Sequence, residues 1–188
     1  MIIEQIVPGV DTPPRIVAAA SLTIGVAAAM AWRFGLSPPL AAYASFGVAS
    51  VVVSVTDMVA QRIPNPVVFL ACLVGPALLA LASAHSDTWG SLTRAAIAAG
   101  ALAGFYLLLG LGFPAGVGFG DVKWAGVTGL YLGWLDWSAV STGTVVAFLG
   151  AAVFVAARRL ASCRGRQLVV PMAPFMTAGS LVAILTTR

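Results

Sequence analysis

Six acidic residues occur in the chain, and two of them stand where an apolar run meets polar sequence. Asp57 closes the run Gly47-Val48-Ala49-Ser50-Val51-Val52-Val53-Ser54-Val55-Thr56, and Asp121 lies in Gly118-Phe119-Gly120-Asp121-Val122-Lys123. Two carboxylic acids held close together cannot both ionise cheaply, so they share a proton and titrate as a pair. The ionised member takes a proton from water while the protonated one polarises a carbonyl, which amounts to peptide hydrolysis without a covalent intermediate. Glycines ahead of Asp121 would let the backbone bend sharply or approach an extended substrate, since Gly tolerates positive φ. A plainer alternative stands beside this chemistry: helix-end capping, or ion pairing of Asp57 with Arg62 and of Asp121 with Lys123. The remaining acids suggest less. Glu4 and Asp11 fall in a leader, Asp87 in a polar turn with His85, Ser86 and Thr88, and Asp136 in a short connector between Trp134 and Trp137.

The elements that must position such a pair follow from composition. Of 188 residues, 60% are apolar and 9% charged, against roughly 45–50% and 25% in soluble domains. A water-facing surface cannot be covered with so few polar groups, so the chain reads as an integral membrane protein. Ten basic residues scattered between apolar runs give a net charge of +4 but no stripe, which excludes nucleic acid as a partner. One histidine and two isolated cysteines, Cys72 and Cys163, offer no zinc-ligand spacing, and both cysteines are expected to be small buried hydrophobes.

Apolar runs long enough to cross a bilayer lie approximately at 16–35, 40–57, 66–84, 95–113, 122–135, 138–157 and 171–187. The expected fold is therefore all-α, a polytopic transmembrane helical bundle of about seven helices. It would form a single domain over 16–188 behind a cytoplasmic leader at 1–15, with 16–31 a retained anchor rather than a cleaved signal. With the N-terminus inside, Arg15, Arg62, Lys123, Arg158, Arg159, Arg164 and Arg166 face the cytoplasm and Arg33, Arg94 and Arg188 face out, in keeping with the positive-inside rule. Trp89, Trp134 and Trp137 then fall at the outer interface. Two complete crossings separate Asp57 from Asp121, so both return to the cytoplasmic side at similar depth. Small residues in 95–104, including Gly100 and Gly104 four apart, suit close helix packing.

The segment Gly118-x-Gly120-Asp121-x-Lys123 resembles the G-x-G-D-x-K signature of the type IV prepilin peptidases, membrane aspartic peptidases that cut leaders from prepilins and archaeal preflagellins. Asp57 followed by Arg62-Ile63-Pro64-Asn65 is similar to that family's other aspartate, which stands a few residues ahead of I-P-N. Pro171-Met172-Ala173-Pro174-Phe175-Met176 is similar to its P-x-x-P-F segment. The three motifs occur in the family's order over roughly residues 40–188. The resemblance implies that Asp57 and Asp121 are the catalytic pair, that Gly118 and Gly120 shape the backbone beside the second aspartate, and that Lys123 and Asn65 shape the site. It implies a prepilin-like protein substrate, cleaved at the cytoplasmic face of the inner membrane with its hydrophobic helix docked in the lipid bilayer, and no metal or organic cofactor. Paired C-x-x-C motifs, which mark the methyltransferase region of long family members, are missing, so the chain resembles the short, chiefly hydrolytic forms. A small proton-coupled transporter using Asp57 and Asp121 as an ion relay is the competing expectation. It calls for acids near the bilayer midplane and for repeat symmetry.

Overall fold

In a computed structural model the chain is described over residues 13–113, 117–161 and 170–187. Seven helices and no strands occupy those residues: α1 (Pro13–Phe34), α2 (Leu40–Ala60), α3 (Asn65–Ser86), α4 (Trp89–Gly112), α5 (Phe119–Leu135), α6 (Trp137–Ala161) and α7 (Ala173–Thr186). Residues 1–12 of the expected leader, Cys163 and the basic residues Arg164, Arg166 and Arg188 lie outside the described residues, and the last three leader positions, 13–15, already belong to α1. All seven expected spans are helical, and α1, α2, α3, α4 and α6 are long and apolar enough to cross a membrane. The chain is a multi-pass membrane protein.

Its surface is that of a protein dissolved in lipid. Phe69, Leu70, Leu73, Leu108 and Val153 point outward, whereas Ser50, Ser83, Thr128, Thr177 and Ser180 are buried. Outside a bilayer such an arrangement would expose a large apolar surface; inside one, the hydrocarbon is as good a solvent for Leu as the core is. Cys72 lies on this outward face of α3 and is exposed, contrary to the expectation that it is buried. Pro76 sits inside α3 without ending it, as membrane helices tolerate.

α5 is the hub. Trp124, Ala125, Leu132 and Tyr131 on it are almost wholly buried, and it packs against α3, α4, α6 and α7. An aromatic ladder joins it to α2: Phe46 stacks on both Trp124 and Tyr131, and the Tyr43 hydroxyl donates to the Tyr131 carbonyl at 2.7 Å. At 17 and 14 residues, α5 and α7 are the two short helices. At 1.5 Å per residue they span only about 26 and 21 Å, less than a hydrocarbon core of roughly 30 Å.

α5 runs antiparallel to α4 with their backbones nearly touching. A Cβ at Gly129 would lie 2.5 Å from the Ala98 carbonyl oxygen, and one at Gly133 would meet Ala98 and Ala95. The small residues that permit this approach are Ala95, Ala98 and Ala99. Gly100 and Gly104, the pair the spacing suggests, face open space, because they lie on another side of the helix.

Two arginines fasten the end of the bundle away from Asp57 and Asp121. Arg94 donates to the carbonyls of Gly133, Trp134 and Leu135 at 2.7–2.8 Å, satisfying the last turn of α5. Arg33 donates to the carbonyls of Ile184 and Thr187 at the end of α7, at 3.1 and 2.6 Å. α4 therefore begins at Trp89 and not at 95: a guanidinium within the helix is tolerated where it has carbonyl partners. α1, which the motifs leave without a role, contributes one of these clamps and buries Met30 against α2. Between α5 and α6 only Asp136 intervenes. The Trp137 backbone N–H and the Ser138 hydroxyl donate to its carboxylate and hold it below the usual Asp range.

Candidate active site

Alternating helix directions bring the end of α2 and the starts of α3, α5 and α7 to one end of the bundle. Asp57 lies within the last turn of α2 and is 6% exposed. One of its oxygens, Oδ2, accepts the backbone N–H of Ala173 at 2.9 Å. Ala173 is the first residue of α7, and Pro174 after it has no N–H to offer. The P-x-x-P-F segment thus delivers a helix N-terminus to the first aspartate.

Asp121 stands in the first turn of α5. Its Oδ2 accepts the N–H of Gly118, the residue before the helix, at 2.9 Å. Each carboxylate therefore receives one backbone N–H from the start of a helix and keeps its other oxygen free of backbone bonds. The two acids lie within electrostatic reach of each other. Each acid thus caps the start of a helix, Asp57 that of α7 and Asp121 that of α5. Neither expected ion pair forms among the described residues: Arg62 is exposed, and the Lys123 ammonium donates instead to Asn65 Oδ1 at 3.1 Å.

That last bond joins two of the sequence-designated residues across α5 and α3, 58 positions apart in the chain. The path between the aspartates explains how. Gln61 takes a left-handed conformation (φ 51°) and ends α2, its N–H donating to the Asp57 carbonyl. Arg62, Ile63 and an extended Pro64 then lead directly into Asn65. Ile63 packs against the first turn of α5 at Gly120, where a Cβ would stand 3.0 Å from the Ile63 Cβ. Gly120 is required for this close approach. Positive φ is not its reason, because neither Gly118 nor Gly120 adopts it.

The motifs do not reveal the polar wall beneath Asp57. The Ser54 hydroxyl donates to Thr177 Oγ1 at 2.8 Å, and the Thr177 hydroxyl reaches the Ser50 carbonyl at 3.3 Å. The spacing of Ser50, Ser54 and Asp57 (i, i+4, i+7) on one face of an otherwise apolar helix is the signal that points to it. Trp124 Nε1, Thr128 Oγ1 and Ser50 Oγ are buried with no hydrogen-bond partner among the described residues. No cluster of three or more His, Cys, Asp or Glu side chains able to hold a metal ion is found there either.

No curated protein and no solved structure matches the chain. A family model does: that of the type IV leader peptidase family matches residues 44–158, a segment that includes Asp57, Asn65, Gly118, Gly120, Asp121 and Lys123. With more than half of its length matched, and with the motif residues of separate helices gathered at one end of the bundle, the chain belongs to the type IV leader peptidase family.

Proposed function

We propose that the protein is an aspartic endopeptidase that removes the basic leader from type IV or Flp-type prepilin-like precursors at the cytoplasmic face of the inner membrane, with Asp57 and Asp121 as its catalytic pair. The observation that supports this reading is the convergence of two carboxylates from separate helices at one end of the bundle, each with one oxygen uncommitted to backbone.

The chemistry follows from that arrangement. The ionised aspartate takes a proton from a water molecule as it adds to the scissile carbonyl. The protonated aspartate donates to the carbonyl oxygen, giving a neutral tetrahedral diol. Collapse of the diol moves a proton to the leaving amine and restores the shared-proton pair. The Ala173 and Gly118 N–H groups fix each carboxylate while its free oxygen works, and the Lys123–Asn65 bond holds the start of α5 against α3. The substrate's own hydrophobic helix would dock from the bilayer by packing against the outward helix faces.

An ion-relay transporter calls for acids at mid-membrane, whereas Asp57 and Asp121 lie at helix ends on one side of the bundle. Co-expression with a candidate prepilin tests the peptidase directly, leader removal being followed by gel shift for the unaltered chain, Asp57→Asn and Asp121→Asn. Loss of processing in both variants supports the mechanism; processing that survives both substitutions overturns it.

A further inference from the structure

Hydroxyl side chains on these helices usually bond back to their own backbone. Thr56, Thr144, Ser180 and Thr186 each donate to the carbonyl four residues earlier, at 2.6–2.8 Å. Ser54 has the same option in the Ser50 carbonyl and does not take it. Its hydroxyl donates across to Thr177 Oγ1 of α7 at 2.8 Å, and the Thr177 hydroxyl goes on to that Ser50 carbonyl at 3.3 Å. This relay lies one turn beneath the bond from the Ala173 N–H to Asp57 Oδ2. Ser54 precedes Asp57 by three residues and Thr177 follows Ala173 by four, so the two contacts are successive rungs between antiparallel helices. On its other side α7 rests on α6 through backbone, where a Cβ at Gly179 would collide with the Gly143 carbonyl oxygen. Such a contact sets the distance between two helices but not their axial register, and in hydrocarbon apolar side chains favour no one register strongly. The far end of α7 hangs from Arg33, whose long side chain can follow a small axial shift.

We propose that Ser54 and Thr177 are positioning residues for Asp57: their hydroxyl bond fixes the axial register of α7 on α2 and so keeps the Ala173 N–H on Oδ2, leaving the other carboxylate oxygen aimed at substrate. The proposal rests on the peptidase reading above and names two residues that none of the three motifs contains. Neither hydroxyl touches the carboxylate; both act through the helix that does. The arrangement also separates positioning from stability. Without the Thr177 hydroxyl, Ser54 falls back on the Ser50 carbonyl four residues earlier, as the other hydroxyls do, and no buried donor is stranded. Removing the relay therefore frees the register at little cost to the fold.

The test uses the purified full-length protein in detergent, with leader cleavage and the hydrogen exchange of the Ala173 amide as its two readouts. Thr177→Val keeps the shape of the side chain and removes the hydroxyl. It should lower kcat by about tenfold or more with KM unchanged, and the Ala173 amide should exchange roughly tenfold faster, while the unfolding midpoint stays near that of the unaltered chain. Thr177→Ser restores the hydroxyl and should recover both. Ser54→Ala leaves Thr177 its bond to the Ser50 carbonyl and should lose less; combined with Thr177→Val it should add nothing further. Arg94→Lys, destabilised at the far end, should keep its kcat per folded molecule. Unchanged kcat and exchange in Thr177→Val overturn the proposal, as do independent, additive losses in the double variant or a failure of Thr177→Ser to recover. Should Thr177→Val not fold, Ser54→Ala must still lower kcat severalfold, and an unaltered value there overturns it equally. Asp57→Asn separates the two levels of inference. If that variant still cleaves, the peptidase reading fails; if it is inactive while Thr177→Val behaves as the unaltered chain, only the role of the hydroxyl pair fails.

Discussion

Replacing Arg94 should unfasten the hub helix at the end away from the aspartates. The last carbonyls of a helix have no partners within it, and Arg94 supplies donors to three of them, those of Gly133, Trp134 and Leu135. A hydrogen bond involving a charged group contributes roughly 1.5–3 kcal/mol, and a cation at a helix C-terminus adds a few tenths. Water at the membrane boundary recovers part of this once the side chain is gone, so Arg94→Ala should cost about 2–4 kcal/mol. Arg94→Lys offers one ammonium in place of a planar fork and should cost about half as much. Equilibrium unfolding of the detergent-solubilised protein, by SDS titration followed by circular dichroism, reads the loss as a shift of midpoint. At about 3 kcal/mol the unfolding equilibrium changes more than a hundredfold. Because Asp121 stands at the other end of α5, activity per folded molecule should be preserved. An Ala variant that unfolds at the unaltered midpoint, or one indistinguishable from Lys, would refute the clamp.

Gly129→Ala places a methyl against the Ala98 carbonyl oxygen and should destabilise by about 1–3 kcal/mol through forced helix separation, whereas Gly100→Ala and Gly104→Ala, which face open space, should leave the same unfolding midpoint unchanged. Cleavage by a shared-proton pair should give a bell-shaped pH–rate profile, and a flat one between about pH 4 and 9 would exclude such a pair. Asp136 titrates below the usual Asp range, so its support of α6 is present above about pH 4 and lost as the pH falls through the lowered value. Asp136→Asn should accordingly be less stable than the unaltered chain at neutral pH and equal to it in acid, as read by thermal unfolding at the two pH values. Cysteines placed at positions 58 and 119, both exposed beside the aspartates, should react with an impermeant thiol reagent from the same side of the membrane; labelling from opposite sides would dissolve the site.

How much of this was written in the sequence depends on the range of the interaction. Helix type and number follow from long apolar runs, because in a bilayer the backbone has few alternatives to helix. The designated residues Asp57, Asn65, Gly118, Gly120, Asp121 and Lys123 do converge, since they cluster at helix ends that alternating direction must bring to one side. Contacts that depend on rotation about a helix axis were not legible. Gly100 and Gly104 have the spacing of a packing face but point away from α5, while Ala95, Ala98 and Ala99 make the contact. Cys72 is apolar in company yet faces outward. Arg33 and Arg94 read as outward-facing charges at span ends, and only three-dimensional proximity reveals the carbonyls they serve.

The two guanidinium clamps lie at one pole of the bundle, and the aspartates lie at the other. Far from the aspartates, charged forks donate three bonds to the end of α5 and two to the end of α7; near them, α7 meets α2 through the Ala173 N–H and through Thr177, and α5 meets α3 through one lysine. The hub helix α5 is thus tied by a guanidinium at its end and by a single ammonium at its start. A change of salt or pH in the medium therefore meets a permanently charged fork at one pole and a titratable pair at the other.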